Sequence, residues 1–268
     1  MKKFRNLLLT LLLVVAFIPL VGCKKDDKVI TVGASPTPHA QILEQARSYI
    51  ESKGYTLKIV EFSDYVQPNI ALDDGSLDAN YFQHEPYLQQ FCESHNMDLV
   101  SVAKIHFEPL GIYKGSKGTT LANLKTGDTI LVPDDATNCA RALQLLAANN
   151  VITISNDKGL DTTINDCDVK GLKITPLKAD TISANLSEAA FAVINGNYAL
   201  DWNIKDQLVA QEDSSSEAYD TFSNIIAVKA GNENSEKTKI LVEALQQPNI
   251  AQYIEDTYDG VVIPYIAK

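Results

Sequence analysis

Residues 29–62, VITVGASPTPHAQILEQARSYIESKGYTLKIVEF, decide the fold. Val29-Ile30-Thr31-Val32-Gly33 is an apolar, β-branched run and predicts a strand. The turn Ala34-Ser35-Pro36-Thr37-Pro38-His39 leads into a helix over 40–52, where Ile42, Leu43, Ala46, Tyr49 and Ile50 keep the 3.6-residue period. Gly54 stops that helix. Residues 56–62 alternate as a second strand, with Leu57, Ile59 and Glu61 on one face. A strand, a helix and a strand in so short a span predict neighbouring parallel strands joined by a helix.

The same alternation continues outward. Ser63 or Asp64 can cap a helix that tolerates Pro68 in its first turn and ends at Gly75. A short strand over 78–82, a helix opened by Pro86 and a strand-rich stretch over 99–113 follow. The pattern then restarts, with a helical turn over 121–125, a strand over 129–132 and an Ala- and Leu-rich helix capped by Asn138 and running to 148. Strands over 172–177 and 189–194 precede a polar, Ser-rich loop over 211–220. A last strand over 224–229 and helices over 235–246 and 249–258 close the chain. The expectation is an α/β protein of two lobes, each a mostly parallel sheet flanked by helices. Lobe I takes 29–113 plus 223–268 and lobe II takes 114–222, with crossings near 108–114 and 224–229. Ligands in such folds lie beyond the carboxyl ends of the strands, and a cleft between lobes is a preferred site.

Composition narrows the function. Against 23 Lys and Arg stand 34 Asp and Glu, a net charge of −11, which leaves no basic surface for a nucleic acid. With 45% hydrophobic and 21% charged residues the chain is globular rather than disordered.

The first 22 residues read as a secretory signal peptide. Lys2, Lys3 and Arg5 precede an apolar run over 7–21 that spans about 22 Å as a helix. That is short of the ~30 Å hydrocarbon core. The run ends Leu20-Val21-Gly22-Cys23, similar to the bacterial lipobox, in which the Cys is acylated before cleavage. The alternative is a buried Cys after an ordinary signal peptide. Residues 23–28 then form a charged tether that holds the folded body close to the membrane. Cleavage removes three cations and no acid, so the mature chain is more acidic still. Cys92, Cys139 and Cys167 remain, an odd number with no paired spacing, which fits reduced thiols packed as small hydrophobes.

Four strand ends carry the chemistry. Asp78-Ala79-Asn80-Tyr81-Phe82-Gln83-His84-Glu85-Pro86-Tyr87 gathers three aromatic rings and an imidazole around one strand-to-helix turn. Such a polarisable wall suits an apolar or thioether side chain; the alternative is ordinary core. In Pro133-Asp134-Asp135-Ala136-Thr137-Asn138-Cys139-Ala140-Arg141, Arg141 is expected at the third helical position beside the free N–H groups. A cation there is unfavourable to the helix alone, but both can face one anion. A carboxylate is the natural partner, unless Arg141 is a surface residue paired with Asp134 or Asp135. Asn195 follows an apolar strand and can donate and accept in a cleft, or simply be a turn residue before Gly196. Glu108 can counter an ammonium or stand solvated at a strand edge. His39 lines the same cleft or starts the first helix.

These stretches, with Gly33-Ala34-Ser35-Pro36-Thr37-Pro38-His39-Ala40, Tyr65-Val66-Gln67-Pro68-Asn69 and Glu108-Pro109-Leu110-Gly111, resemble the methionine-binding lipoproteins of bacterial ABC importers, the MetQ/NlpA group. The match runs in order along essentially the whole mature chain. It implies a two-lobed periplasmic-binding-protein fold of type II that closes on one amino acid. By this resemblance Phe82, His84 and Tyr87 enclose the thioether, Arg141 binds the α-carboxylate, Asn195 holds the head group and Asn138 assists. Tyr81 and Cys139 depart from the residues expected at their positions, and both would lie near the site. The resemblance further implies a permease and an ATPase as partners, a lipid anchor at Cys23 on the extracytoplasmic face, no cofactor and no enzyme activity.

Two other classes are weighed. A metal-uptake lipoprotein needs three or four converging ligands, and of His39, His84, His95 and His106 only His84 has a second ligand type beside it, Glu85. A secreted enzyme would use Cys139, its pKa lowered at a helix N-terminus, or His84, yet no nucleophile or metalloprotease signature accompanies either. Within the binding reading, L- or D-methionine, a methionine-containing dipeptide and another amino acid all remain open.

Overall fold

A computed structural model gives residues 27–118, 120–214 and 217–266 of the protein, so the leader and Cys23 lie outside the described residues. The strands are β1 (Val29–Ala34), β2 (Thr56–Glu61), β3 (Ala79–His84), β4 (Leu99–Phe107), β5 (Gly111–Lys114), β6 (Thr129–Pro133), β7 (Thr153–Ile154), β8 (Cys167–Asp168), β9 (Lys173–Leu177), β10 (Phe191–Ile194), β11 (Leu208–Gln211), β12 (Asn224–Lys229) and β13 (Ile263–Pro264). The helices are α1 (Gln41–Ser52), α2 (Gln67–Asp73), α3 (Glu85–His95), α4 (Ala136–Ala148), α5 (Ala179–Asn185), α6 (Gly196–Asp201), α7 (Glu217–Thr221), α8 (Glu236–Leu245) and α9 (Pro248–Tyr258).

The opening βαβ unit forms as expected, with β1 and β2 parallel and in register from Val29 opposite Thr56 to Ala34 opposite Glu61. Ile30, Val32 and Ala34 face Ile42, Leu43, Ala46 and Ile50 of α1, and Ile240, Leu241, Ile250 and Ile254 of α8 and α9 complete this core. Each such aliphatic side chain contributes about 1.5–3 kcal/mol by leaving water. The second lobe has helices on both faces of its sheet. Ile130, Val132, Phe191 and Val193 pack with Leu143 and Leu146 of α4, while Leu131, Ala192 and Ile194 pack with Ile182 of α5 and Tyr198 of α6. Burial on both faces explains why β6 and β10 read as unbroken apolar runs.

The first sheet has the order β13-β4-β12-β3-β1-β2 and the second β11-β5-β10-β6-β9. Besides the edge strand β13, which is antiparallel to β4, each sheet has a strand that opposes its neighbours: β12 is antiparallel to β3 and β4, and β5 to β10 and β11. These are the strands that follow the crossings. A chain that leaves one sheet at its carboxyl edge enters the other at the facing edge and must run away from the cleft. The first crossing is therefore Glu108-Pro109-Leu110, between β4 and β5, and the expected boundary after residue 113 falls inside β5, which pairs with second-lobe strands. The return crossing lies between β11 and β12.

Other expectations are corrected. The helix of the second segment starts at Ala136, not after Asn138, because the Asp135 side chain caps it by accepting the Asn138 N–H at 2.9 Å. Arg141 thus sits in the second helical turn rather than at the third position. The segment expected as a polar loop from 211 holds the end of β11, helix α7 and a nearly buried Glu212. Helices α5 and α6 had no sequence signal, since Thr181, Ser183, Asn185, Gly196 and Asn197 are weak helix formers and the packing of Ile182 and Tyr198 decides.

Candidate functional site

The carboxyl edges of the two sheets face each other across a cavity of about 350 Å³, counted with its mouth. Phe82, His84, Tyr87, Glu108, Asn138, Arg141 and Asn195 line it, as do Tyr65, Gln83, Gly196, Asn197 and Asn224, which the sequence reading did not assign. Asn224 is the first residue of β12, at the return crossing, so its place at the cleft follows from the topology.

Tyr81 does not line the cavity. Side chains alternate along β3, so its ring turns away from Phe82 into the first-lobe core, fully buried, with its hydroxyl on His106 Nδ1. Cys139 is also outside the cavity: it packs against the second-lobe core, and burial, followed by the nearby Asp135, pushes its thiol up to about 11. The low thiol pKa expected of a nucleophile is thereby contradicted.

Phe82 and Tyr87 form an apolar corner with Tyr65, ring centres 5.8–6.2 Å apart. Such separations are typical of interacting aromatic pairs. Tyr65 is held across the cleft, its hydroxyl donating to Asn197 Oδ1 at 2.5 Å. His84 caps α3 by accepting the Tyr87 N–H at Nδ1, 3.2 Å away. Its proton is then on Nε2, which donates to Asn138 Oδ1 at 3.2 Å, another bond between lobes. Burial, then the charge of Arg141, lowers the His84 pKa to about 3, so the ring is neutral.

Asn138 relays this contact: Asn195 Nδ2 donates to its Oδ1 at 3.0 Å, and its own Nδ2 donates to the Asp135 carboxylate. Among the described residues, two polar atoms of the cavity lining are buried without a hydrogen-bond partner, Asn195 Oδ1 and Asn197 Nδ2. Buried polar groups left unmatched cost about 1–3 kcal/mol each. Such groups at a cleft call for a partner from outside the chain, a water or a ligand.

Charge is supplied by Arg141 and Glu108. Arg141 is nearly buried, its Nε and Nη2 donating to Glu212 Oε1 and Oε2 at 2.6 and 2.5 Å. Its Nη2 also donates to the Glu108 carbonyl at 3.0 Å. Sequence reading missed Glu212 because a Glu in a Ser-rich acidic stretch carries no pattern. Glu108 is buried on the first crossing, where Oε1 accepts from His106 Nε2 at 2.7 Å and its carboxylate meets the Asn197 backbone N–H. Burial pushes its pKa up, while His39, that N–H and Arg141 pull it down. Gly196 is required here, since a Cβ on it would lie 2.8 Å from Glu108 Oε2.

His39, His106 and Glu108 form a donor set, buried behind the cavity, of the kind that holds a metal ion. The contacts within it are those of shared protons. Tyr81 occupies His106 Nδ1, His106 Nε2 points at Glu108, and His39 Nε2 bonds Asn224 Oδ1 at 2.9 Å. Both imidazoles are lowered chiefly by burial, His39 to about 4 and His106 to about 3.

Two α/β lobes joined by two crossings, with polar groups converging between them, define a periplasmic-binding-protein fold. Comparison with known proteins gives the particular group. The NlpA lipoprotein family model matches residues 30–266. A Bacillus subtilis protein named methionine-binding lipoprotein MetQ is 38% identical over 253 residues, covering 91% of this chain and 90% of its own. A lipoprotein structure from Ruminococcus gnavus has 48% identity and a TM-score of 0.86, covering 89% of this chain and all of the other. A nutrient binding protein from Burkholderia cenocepacia, solved bound to methionine, has 35% identity and a TM-score of 0.82 over 88% of this chain and 100% of its own. The chain belongs to the NlpA lipoprotein family, a family of substrate-binding lipoproteins and not of enzymes. No helix among the described residues is long and apolar enough to cross a membrane.

Proposed function

We propose that this protein is the extracytoplasmic substrate-binding lipoprotein of an ABC importer, that it captures methionine, L or D, between its lobes, and that it delivers it to a permease. The observation that carries this reading is the pairing, in one cavity, of orphaned head-group partners with an aromatic corner. Arg141 and Glu108 both line it, and among the described residues Asn195 Oδ1 and Asn197 Nδ2, on two further lining residues, are unmatched. Arg141 would take the α-carboxylate, Glu108 and Asn195 Oδ1 the ammonium, and Asn197 Nδ2 a carboxylate oxygen. Tyr65, Phe82 and Tyr87 would enclose the thioether, whose sulfur favours aromatic edges.

Closure follows from the same division. The ligand touches both lobes, so only the closed arrangement makes every contact and the ligand shifts the population toward it. Residues 1–22 would direct export, Cys23 would carry lipid and residues 23–28 would tether the body to the membrane, where the permease and its ATPase would meet the loaded form.

Native mass spectrometry of the purified chain, followed by calorimetric titration with L- and D-methionine, tests the ligand. The expected result is a bound mass equal to methionine, or tight binding after its removal. A bound mass matching a methionine-containing dipeptide or another amino acid would replace the ligand, and one matching neither amino acid nor dipeptide would overturn the reading.

A further inference from the structure

Arginine offers five N–H groups on three nitrogens. In Arg141 the side-on edge, Nε with Nη2, is taken in bidentate fashion by Glu212, and Nη2 is shared with the Glu108 carbonyl. Nη1 is the one guanidinium nitrogen without a hydrogen bond among the described residues. Arg141 lines the cavity and Glu212 does not, so the carboxylate stands behind the arginine rather than in the ligand's place. The ring of Phe222 covers one face of the guanidinium, its centre 4.3 Å from Cζ. Glu212 is itself fixed: Oε2 accepts the Leu110 N–H at 2.8 Å, and its own N–H donates to the Leu110 carbonyl at 3.0 Å. It therefore ties both crossings and the arginine together.

We propose that Glu212 is a specificity-determining positioning residue. By occupying the side-on edge of Arg141 it leaves Nη1 as the donor for the ligand, so the cleft receives a single carboxylate end-on. It also supplies a negative charge behind the arginine, which favours a monocarboxylate with a nearby ammonium over a dianionic group such as a phosphate. The inference rests on the reading that Arg141 meets the ligand carboxylate.

The test uses the mature chain labelled with 15N-arginine and the variants Glu212→Ala and Glu212→Gln. Beyond the leader the chain has only Arg47 and Arg141, so two Nε–H signals are expected. That of Arg141 should exchange slowly in the ligand-free protein and lose its protection in Glu212→Ala. Titration should show methionine affinity at least about tenfold weaker in Glu212→Ala, equivalent to about 1.4 kcal/mol. It should be less weakened in Glu212→Gln, which keeps one acceptor oxygen and guards against a failure of Glu212→Ala to fold. Affinity for methioninol, which lacks the carboxylate, should change by less than about twofold. Equal losses for methionine and methioninol would mark a merely structural role and overturn the proposal, as would an unchanged methionine affinity. If the wild-type chain binds no methionine, the ligand reading fails by itself. The Arg141 signal then decides: retained protection in both variants overturns the role of Glu212, and its loss supports it.

Discussion

The two crossings between the lobes each carry a buried glutamate, and their surroundings are opposite. Glu212, on the return crossing, faces a guanidinium that is always charged and meets it with both oxygens. Glu108, on the first crossing, is contacted among the described residues by two imidazoles kept neutral by burial and one backbone N–H, with Arg141 acting on its carboxylate only through space. The return crossing therefore neutralises Arg141 and leaves the two N–H groups of its Nη1 as spare donors among the described residues. The first crossing holds a carboxyl whose charge waits for a cation from outside. In the proposed function a zwitterion would meet that inequality, with its anion at Arg141 and its ammonium at Glu108.

The largest expected effect comes from breaking the satisfied side. On the proposed reading Arg141→Ala removes the ligand carboxylate's partner, and it leaves the Glu212 charge unpaired. Loss of one member of a buried charge pair costs about 2–5 kcal/mol, roughly 30-fold to several thousand-fold in affinity. Calorimetric titration with methionine should show this while circular dichroism shows a folded chain. An unchanged dissociation constant would remove Arg141 from the site.

Glu108→Gln keeps the shape and the bond from His106 but deletes the charge. A hydrogen bond to a charged group contributes about 1.5–3 kcal/mol, so binding should weaken about 10- to 150-fold. The pH profile sharpens the comparison. Burial raises the Glu108 pKa above its usual 4.5, so wild-type affinity should fall as acid protonates the carboxyl, and the variant should lack that fall. Parallel profiles would mean that Glu108 does not meet the ammonium.

Gly196→Ala is a subtler probe of the same acid. The added Cβ would lie 2.8 Å from Glu108 Oε2 and 2.9 Å from its Cβ, so the carboxylate must shift off the Asn197 N–H. Overpacking of this kind costs about 1–3 kcal/mol. Both the melting temperature and methionine affinity should drop, the affinity less than in Glu108→Gln.

The smallest effect at neutral pH is on stability. His39, His84 and His106 titrate near 6.5 when unfolded and near 4, 3 and 3 when folded. Between those values the unfolded chain binds more protons, so stability rises with pH up to about 6.5 and levels off above it. Glu108, Asp135 and Asp201 work in the opposite sense, because burial raises their pKa and makes the folded state the better proton binder, whereas Glu44, Asp166 and Glu188 are lowered by their cationic partners and act with the three imidazoles. Thermal melts should therefore be lower at pH 4.5 than at pH 7, and His106→Gln should narrow the gap. A flat profile would contradict the neutral imidazoles around Glu108.

Much of the fold was legible from local signals. The periodicity of Ile42, Leu43, Ala46 and Ile50 gave α1, and the continuous apolar runs gave β6 and β10, because side-chain spacing encodes which faces are buried. Phe82, His84, Tyr87, Asn138, Arg141 and Asn195 were legible as site candidates because they cluster where strands give way to helices, in stretches that resemble a known family. Tyr81 was misplaced for the converse reason: density of chemistry along the chain says nothing about which face of β3 each residue takes. The start of α4 was misread because Asp135 and Asn138 are both good caps, and the choice depends on which backbone N–H the side chain reaches. Glu212, Asn197 and Asn224 had no local signal, since their partners Arg141, Tyr65 and His39 lie 71, 132 and 185 residues away.

The sequence by itself determined the class of architecture, the acidic balance that leaves nucleic acid aside, and the kinds of group gathered near the cleft. These are properties of composition and spacing, which survive without knowledge of neighbours. Only the tertiary structure decided how the charges pair. It set Glu212 behind Arg141, enclosed Glu108 among neutral imidazoles, and left Asn195 Oδ1 and Asn197 Nδ2 without partners. Pairing and burial are relations between distant segments, and two crossings of the chain bring those segments together.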